Sequence, residues 1–255
     1  MVSRAKSLFI WMGIALLILF WLPMLAVRRL YDRDPARYYT GKLFRNLGMA
    51  ISKINPNWKI TISGYTDIDD RRPYVMVCNH LSQADIPLIS NLPWEMKWVA
   101  KKELFEVPVV GWMMRMAGDI SVDRKARDRR HKTFEQARYY LNHQCSVIFF
   151  PEGTRSRNGK LNTFAYGAFE LAVSEGVPIL PMVIDGTQNT LPKKSWTFGQ
   201  AKHIKLKILK PLDTGELDRD DIKGLAESVR SRIARQLAEW RGKSVQEVDS
   251  LQRSG

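Results

Sequence analysis

The sequence predicts an α/β fold in which a mixed, mostly buried sheet of about six or seven strands is flanked by helices. Short apolar runs alternate with longer stretches of helical periodicity, an alternation typical of α/β proteins. Two of these runs, 74–78 and 146–150, lead directly into polar residues. A third observation is the charge-free apolar segment 8–27, which comes before the alternating part. It predicts a membrane-attached helical segment ahead of the domain.

The apolar segment 8–27 has the length of about 20 residues that a helix needs to cross a bilayer. Arg28 and Arg29 follow it in place of small residues, which disfavours cleavage as a signal peptide. Arginine is more frequent on the carboxyl side of the segment, so the positive-inside rule places that side in the cytoplasm. We expect the inner (cytoplasmic) membrane, with the following domain facing the cytoplasm. Spanning the bilayer and dipping into one leaflet both fit the segment.

Residues 34–58 carry apolar side chains at helical spacing, with basic side chains largely elsewhere on the helix. Such a helix rests on anionic lipid or packs on the core of the domain, and both interpretations stay open. We therefore divide the chain into a hydrophobic and amphipathic helical membrane anchor (1–58), a main domain (59–242) and a polar, frayed tail (243–255).

The elements of the main domain are predicted from hydrophobic periodicity and from the residue types that begin and end helices and strands. Strands are predicted over 59–64, 74–78, 97–100, 120–122, 146–150, 177–184 and 202–209. Helices are predicted over 127–142, 163–174 and 217–241. Pro178 and Pro181 predict that the strand 177–184 starts irregularly or lies at a sheet edge.

The charge balance indicates a polyanionic partner, since 40 Lys and Arg against 26 Asp and Glu give the 255-residue chain a formal charge of +14. The apolar segment favours membrane lipids as that partner. Basic patches interleaved with aromatic residues and helix-turn-helix signals are absent from the sequence, which argues against nucleic acid. Cys78 and Cys145 show neither disulfide nor metal-ligand spacing, which fits a reducing compartment.

The first polar stretch, 79–85, offers a base. His80 lies where a strand leaves the sheet, and an unperturbed pKa near ~6.5 suits a histidine to accept a proton at neutral pH. Asp85 could return to the second ring nitrogen and fix its tautomer, as the acid of a catalytic triad does. Ser82 allows a competing route through a covalent acyl-enzyme. A metal site built on His80 and Asp85 would lack a third ligand nearby in sequence.

The second polar stretch, 150–156, offers an anion site. Gly153 lets the backbone approach a ligand, and the planar guanidinium of Arg155 suits phosphate. Glu152 could act as a second general acid or could order the loop through a base or a backbone amide. Both stretches follow strands, where ligands bind in open α/β sheets.

Four ordered blocks resemble those of the glycerolipid acyltransferases, and the similarity is greatest to the bacterial lysophosphatidic acid acyltransferases. The blocks are Asn79 with His80-x4-Asp85, Gly-Asp-Ile-Ser-Val-Asp-Arg at 118–124, Phe-Pro-Glu-Gly-Thr-Arg-Ser at 150–156 and Val-Pro-Ile-Leu-Pro at 177–181. The similarity covers residues 60–190.

The resemblance implies transfer of a fatty acyl group from acyl-CoA or acyl-carrier protein to the free hydroxyl of lysophosphatidic acid, giving phosphatidic acid for phospholipid synthesis. It implies His80 as the base and Asp85 as its orienting acid. The residues expected at the substrate phosphate are Lys101, Arg124, Gly153, Thr154 and Arg155, and those expected to support the two loops are Asn79, Ser82 and Glu152. We expect no metal and no cofactor beyond the acyl donor as co-substrate.

Two alternatives remain. The acceptor could be glycerol-3-phosphate or another lysolipid, and a change of headgroup would show as indifference to the acceptor phosphate and to Arg155. The chain could instead be a non-catalytic basic protein that binds lipid at the membrane surface. The charge and the apolar segment fit that second class, but the pairing of His80 with Asp85 does not.

Overall fold

The computed structural model describes residues 4–56, 58–123, 130–191, 195–199 and 203–250. Seven strands form one sheet in the order β1–β7–β6–β2–β5–β3–β4. Their bounds are β1 (Lys59–Gly64), β2 (Val75–Cys78), β3 (Met96–Lys101), β4 (Ile120–Val122), β5 (Ser146–Phe149), β6 (Ile179–Asp185) and β7 (His203–Ile208). The pair β6–β7 is antiparallel and the other described pairs are parallel. The prediction of a mixed sheet of six or seven strands is confirmed.

Helices cover both faces of the sheet. Their bounds are α1 (Arg4–Tyr31), α2 (Tyr38–Ile54), α3 (Asp85–Ile89), α4 (Lys102–Phe105), α5 (Val110–Ala117), α6 (Arg130–Asn142), α7 (Gly167–Glu175), α8 (Ile222–Arg241) and α9 (Val245–Val248). Apolar residues of α6, α7 and α8 bury one face of the sheet, and α3 with its flanking loops buries the other. The buried strands therefore read as apolar runs in the sequence.

Helices α7 and α8 begin later than predicted, because polar turns replace their expected first residues. Ahead of α7, the amide of Ala165 donates to the carbonyl of Pro151, which ties residues 163–166 to another loop. Ahead of α8, Asp218 and Asp221 close a turn through a backbone-to-carboxylate hydrogen bond of 3.0 Å. Residues 127–129 of the predicted helix 127–142 lie outside the described residues.

Strand β6 excludes one of the two alternatives inferred from its prolines, the position at a sheet edge. It lies between β7 and β2, so it is not an edge strand. Pro181 pairs with Val77 of β2, while the ladder to β7 begins only at Met182. A proline lacks an N–H donor, and here it stands at the end of the β7 ladder, where its carbonyl still accepts the amide of Leu209 at 2.9 Å.

Four neighbouring parallel strands, β2, β5, β3 and β4, bring their carboxyl ends to one edge of the sheet. The pairing sets Val77 opposite Phe149 and Trp98 opposite Ile148. The loops that follow these strands are therefore neighbours. This edge receives both polar stretches singled out in the sequence.

Helix α1 lies along the domain and is attached to it at several points. Leu25 is fully buried against Leu47 of α2 and Met113 of α5. Near its start, the Trp11 indole donates to the carbonyl of Trp196 at 2.7 Å, and further along the Trp21 indole donates to a carbonyl of α2 at 3.0 Å. The opposite side of α1 exposes large apolar side chains: Leu8, Phe9, Met12, Leu16, Leu19, Phe20, Met24 and Val27.

A buried ionic cluster fastens α2 to the sheet. Arg45 of α2 reaches Asp119 at 2.6 Å and Glu95 at 3.5 Å, and Lys97 of β3 pairs with Glu95 at 2.9 Å. Lys97 also donates to the carbonyls of residues 37 and 117, so each proton of its ammonium group has an acceptor. Gly41 makes room for the cluster, since a Cβ there would lie 1.9 Å from a carboxylate oxygen of Glu95.

The expectation of a frayed tail after Gly242 is wrong as far as the described chain extends, to Ser250. Ser244 and Glu247 form a reciprocal capping box at the start of α9. Beyond α9, the amide of Ser250 donates to the carbonyl of Leu161 at 3.0 Å. The division at residues 58 and 242 stays a prediction.

Candidate active site

The centre of the site is the pair formed by His80 and Asp85. The Nδ1 atom of His80 lies 2.7 Å from Oδ2 of Asp85, whose side chain is fully buried, whereas that of His80 is 18% exposed. The same Oδ2 accepts the amides of Leu81 at 2.7 Å and Ser82 at 2.9 Å. The loop therefore turns back on itself around one carboxylate oxygen. With Nδ1 engaged as the donor, Nε2 is the nitrogen that can accept a proton.

Asn79 joins the His80 loop to the sheet. Its Nδ2 donates to the carbonyl of Ile184 at 2.9 Å, and its Oδ1 accepts the amide of the same residue at 2.8 Å. The side chain thus continues the β2–β6 pairing one residue past the end of β2 and fixes the point where His80 leaves the sheet. Asn79 is fully buried, which places it behind the reacting groups.

Ser82 is buried within its own loop. Its side chain is 1% exposed, and its Oγ accepts the amide of Ala84 at 3.3 Å. A nucleophile must reach the substrate carbonyl, and a buried hydroxyl engaged with its own loop does not. This geometry weighs against the covalent route.

Glu152 connects the two loops. Its Oε1 accepts the amide of His80 at 2.7 Å, and its Oε2 accepts the amide and Nδ2 of Asn162 at 3.0 and 2.7 Å. Burial raises the pKa of the Glu152 carboxyl above its ordinary value, and these three N–H donors oppose the rise. In each of these contacts the carboxylate is the acceptor, and since the donors come from both loops, Glu152 orders both.

Phe150 forms the floor under the imidazole. The rings of His80 and Phe150 stack with centroids 4.0 Å apart and planes inclined by 18°. Trp98 of β3 supports Phe150 from the next strand, with centroids 5.8 Å apart. The stack restricts the imidazole to one plane.

The expected phosphate residues lie around the same sheet edge. Gly153 has a φ of 69°, the left-handed region that favours glycine. Thr154 is exposed, Arg155 is half-buried, and Lys101 is exposed at the end of β3. Within the described part of the chain, the structure gives the side chains of Lys101 and Arg155 no ion pair or hydrogen bond, unlike the paired Arg45 and Lys97. Arg124 lies outside the described residues.

Sequence reasoning missed three contributors to this geometry. Phe150 was read only as the end of a strand, although an aromatic residue just before a polar turn is a usable signal for a ring at the site. Asn162 lies in a loop, and no local pattern marks it as the partner of Glu152. Ser156 holds the two loops together through its amide, which donates to the carbonyl of His80 at 2.8 Å.

A base with one ring nitrogen oriented by a carboxylate, at a sheet edge that also carries cationic side chains without partners among the described residues, is suited to deprotonating a hydroxyl on an anionic substrate. Residues 59–185 match the family model described as Acyltransferase, a range that contains each of these groups. The chain belongs to this acyltransferase family, and the resemblance drawn from the four blocks is confirmed.

Its relatives are named as lysophosphatidic acid acyltransferases. The chain is 32% identical over 202 residues to the chloroplastic 1-acyl-sn-glycerol-3-phosphate acyltransferase LPAT1 of Arabidopsis thaliana, covering 79% of this chain and 55% of the relative. It is 36% identical over 174 residues to 1-acyl-sn-glycerol-3-phosphate acyltransferase alpha of Mus musculus, covering 68% and 61%. The chain thus spans less than two thirds of the length of these curated relatives.

A solved structure matches over nearly the full length of both chains. The 1-acyl-sn-glycerophosphate (LPA) acyltransferase PlsC from Thermotoga maritima superimposes with a TM-score of 0.79 and 29% identity, covering 94% of this chain and 96% of that chain.

Proposed function

We propose that this chain is a membrane-bound O-acyltransferase that moves a fatty acyl group from a thioester to the free hydroxyl of lysophosphatidic acid, giving phosphatidic acid. The observation that carries the proposal is the oriented His80–Asp85 pair beside the half-buried, unpaired guanidinium of Arg155 in the described chain. The names of the relatives support the same acceptor.

The chemistry requires one base. Nε2 of His80 takes the proton of the acceptor hydroxyl as its oxygen forms a bond to the thioester carbonyl carbon. The tetrahedral intermediate then breaks its carbon–sulfur bond, and the imidazolium returns the proton to the departing thiolate. Asp85 remains ionised throughout and stabilises the imidazolium. Holding the hydroxyl against the base supplies about 7–11 kcal/mol of barrier lowering, so an acyl-enzyme is not needed.

The acceptor phosphate pairs with Arg155 and Lys101. Arginine can meet two phosphate oxygens at once, and lysine adds a point charge. Gly153 and Thr154 bring the backbone and a hydroxyl to the same loop. Arg124 joins this set on the strength of the family block alone. The thioester donor is acyl-CoA or acyl-carrier protein, and no metal or other cofactor is part of the proposal.

Membrane attachment is assigned to the outer face of α1. Exposed apolar residues recur along it at intervals of three and four, which defines one continuous face. By length and composition α1 is sufficient to cross a bilayer. However, α1 contacts the domain along its length. If α1 crossed the bilayer, the parts of the domain that it contacts would have to enter the bilayer with it. We therefore place α1 within one leaflet, with the domain on the cytoplasmic side.

The loop around Trp196 extends this membrane face. Trp196 is 51% exposed and its carbonyl accepts the indole N–H of Trp11. The ring of Phe198 lies beside that of Trp11, with centroids 5.4 Å apart and planes inclined by 42°, and the amide of Phe198 donates to Ser7 of α1 at 3.1 Å. An exposed tryptophan beside an apolar helix face is suited to the headgroup region.

The test is thiol release from acyl-CoA and acyl-carrier protein by detergent-purified protein, with and without lysophosphatidic acid, beside His80→Ala. We expect release that depends on the acceptor and disappears in His80→Ala. Substituting glycerol-3-phosphate and a lysolipid without the phosphate monoester identifies the headgroup. Release that persists in His80→Ala would remove His80 from the chemistry. No release from folded wild-type protein would favour a lipid-binding protein.

A further inference from the structure

The segment Ser244–Ser250, here called the C-terminal strap, pairs with the loop that follows Arg155. The amide of Leu161 donates to the carbonyl of Val248 at 2.8 Å, and the amide and Oγ of Ser250 donate back to the carbonyl of Leu161 at 3.0 and 2.7 Å. Val248 and Leu161 are each only 1% exposed. The strap is therefore a built part of the core beside this loop.

Arg230 of α8 joins the strap to the loop. Its Nη1 donates to Asp249 at 2.6 Å and its Nη2 pairs with the other oxygen of the same carboxylate. The same guanidinium donates to the carbonyls of Asn162 at 3.0 Å and Leu161 at 3.3 Å. Bidentate charge-assisted pairs are the strong class of hydrogen bond, and this one is largely buried.

The contacts continue to the base. Asn162, held by Arg230 through its carbonyl, donates through its amide and Nδ2 to Glu152. Glu152 in turn accepts the amide of His80. A continuous series of hydrogen bonds thus runs from Asp249 through Arg230, Asn162 and Glu152 to His80.

A second arginine of α8 acts on the same loop. Arg241 donates to Asp185, at the end of β6, at 2.6 Å and to the carbonyl of Gly159 at 2.7 Å. Residue 184, next to Asp185, is the partner of Asn79. Both ends of the segment 159–162 are therefore fixed from α8, which is remote from the catalytic edge in sequence.

We propose that the C-terminal strap, through Arg230 and Asn162, holds the His80 loop in its productive position, so that Arg230, Asn162 and Asp249 are positioning residues for acyl transfer. The inference rests on the proposed function for its catalytic part. Residues 150–166 contain no helix or named strand, so the loop depends on contacts with other segments for its place. A displacement of about 1 Å at a catalytic group can cost about 10²-fold in rate.

The decisive variant is Arg230→Lys, which keeps the charge but loses the planar fork. The control is Arg138→Lys, since Arg138 makes a more exposed, single 2.7 Å pair with Glu175 between α6 and α7, away from the loop. We expect Arg230→Lys to lower kcat by about 10- to 100-fold with little change in the KM for lysophosphatidic acid. Asp249→Asn is the milder second variant should Arg230→Lys not fold.

Hydrogen exchange provides a readout that does not depend on activity. Peptides covering 79–85 and 150–163 should exchange faster in Arg230→Lys than in wild type or in Arg138→Lys. Arg230→Lys combined with Asn162→Ala should lose hardly more activity than one single variant, because both act through Glu152. If the losses of activity in the two single variants add in the double variant, Arg230 and Asn162 do not act through the same contact with Glu152, and this part of the proposal is overturned.

The alternative is that Arg230 stabilises the fold alone. In that case the melting temperature would fall, while kcat stayed equal to that of Arg138→Lys and the exchange of 79–85 was unchanged. Either of these last two results overturns the proposal. If wild-type protein releases no thiol with lysophosphatidic acid, the proposed function fails, and the exchange of 79–85 still decides whether the strap holds the His80 loop.

Discussion

Three donors converge on one oxygen of Asp85, and this determines what its replacement would reveal. The ring of His80 and the amides of Leu81 and Ser82 all reach Oδ2, while Oδ1 is buried without a hydrogen-bond partner among the described residues. An asparagine can put its single oxygen at the Oδ2 position and keep all three hydrogen bonds. Asp85→Asn therefore removes the charge while retaining the orientation.

We predict that Asp85→Asn lowers kcat by about 10- to 100-fold, because a hydrogen bond to a charged group contributes roughly 1.5–3 kcal/mol against about 0.5–1.5 kcal/mol for a neutral one, and three donors reach this oxygen. Asp85→Ala also frees the ring and the loop, so its loss should be clearly larger, approaching the ~10⁴-fold found when a triad histidine is held in the wrong tautomer. Steady-state kinetics of both variants test this. Equal losses would mean that charge and orientation are not separable here.

Glu152 should leave a signature in the dependence of stability on pH. Its folded pKa is raised above the ordinary value of 4.5, so between these two values the folded state binds the proton more tightly than the unfolded state does. The contribution of Glu152 to stability therefore grows as the pH falls from its folded pKa to 4.5. Glu152→Gln lacks this titration.

We expect the melting temperature of wild type, relative to that of Glu152→Gln, to rise as the pH is lowered from neutral toward 4.5. Thermal unfolding of both proteins in the same detergent across that range measures the difference, and other titrating groups cancel to first order. A difference that stays constant with pH would contradict the raised pKa.

At the scale of elements, the ionic cluster that fastens α2 to the sheet balances two cations against two carboxylates. Removing Lys97 leaves Glu95 and Asp119 with Arg45 alone, in a site where the side chains of Lys97 and Glu95 are fully buried. Breaking a buried pair by deleting one partner costs about 3–5 kcal/mol. Replacing both partners by apolar residues costs far less.

We predict that Lys97→Met lowers the free energy of unfolding by about 3–5 kcal/mol and that adding Glu95→Leu restores much of it. Denaturant unfolding followed by tryptophan fluorescence measures both variants. Lys102→Met, which removes an exposed lysine 4.0 Å from Glu106, is the control and should change stability little. A double variant no more stable than Lys97→Met would show that the cluster contributes net stability.

Which elements form could be predicted from the sequence, because burial on both faces leaves strands as apolar runs and helices keep their period. The order of the strands in the sheet could not be predicted, because β2 pairs with β5 and β6, which are far from it in sequence. The edge position inferred from Pro178 and Pro181 was wrong for this reason, because whether a strand tolerates a proline depends on which neighbouring strand the missing N–H would face. The pairing of Asn79 with Ile184 likewise requires β6 to lie beside β2.

In the candidate site, the pair His80 and Asp85 could be anticipated because five residues form a single loop. The roles assigned to Lys101, Thr154 and Arg155 remain predictions, and Arg124 lies outside the described residues. Asn162 and Arg230 could not be anticipated, because their contacts with the loop arise only after α8 packs on the sheet.

At the scale of the whole molecule, the proposed membrane face combines α1 with the loop of Trp196. Placing a carboxylate on an apolar face that enters lipid costs binding, whereas the same change on another exposed surface does not. We predict that Leu16→Glu with Phe20→Glu reduces cosedimentation with vesicles containing anionic lipid, and that Trp196→Ala weakens it further. Tyr166→Glu, at an exposed site ahead of α7, is the control.

Sedimentation should be compared at low and high salt, because a purely electrostatic attachment would disappear at high salt and an apolar one would persist. Equal binding of the Leu16→Glu, Phe20→Glu protein and wild type would remove α1 from the membrane face. A thiol-release assay with soluble short-chain substrates separates loss of attachment from loss of fold.

The strap also sets an order of events during biosynthesis. Ser250 is made 89 residues after Leu161, which takes roughly 4–18 s at about 5–20 residues per second. Helix α1 is made first and can meet the bilayer long before the strap exists. On the proposed role of the strap, a nascent chain arrives at the lipid surface with the His80 loop still unfastened, and the full rate of acyl transfer is reached only once translation has delivered Asp249.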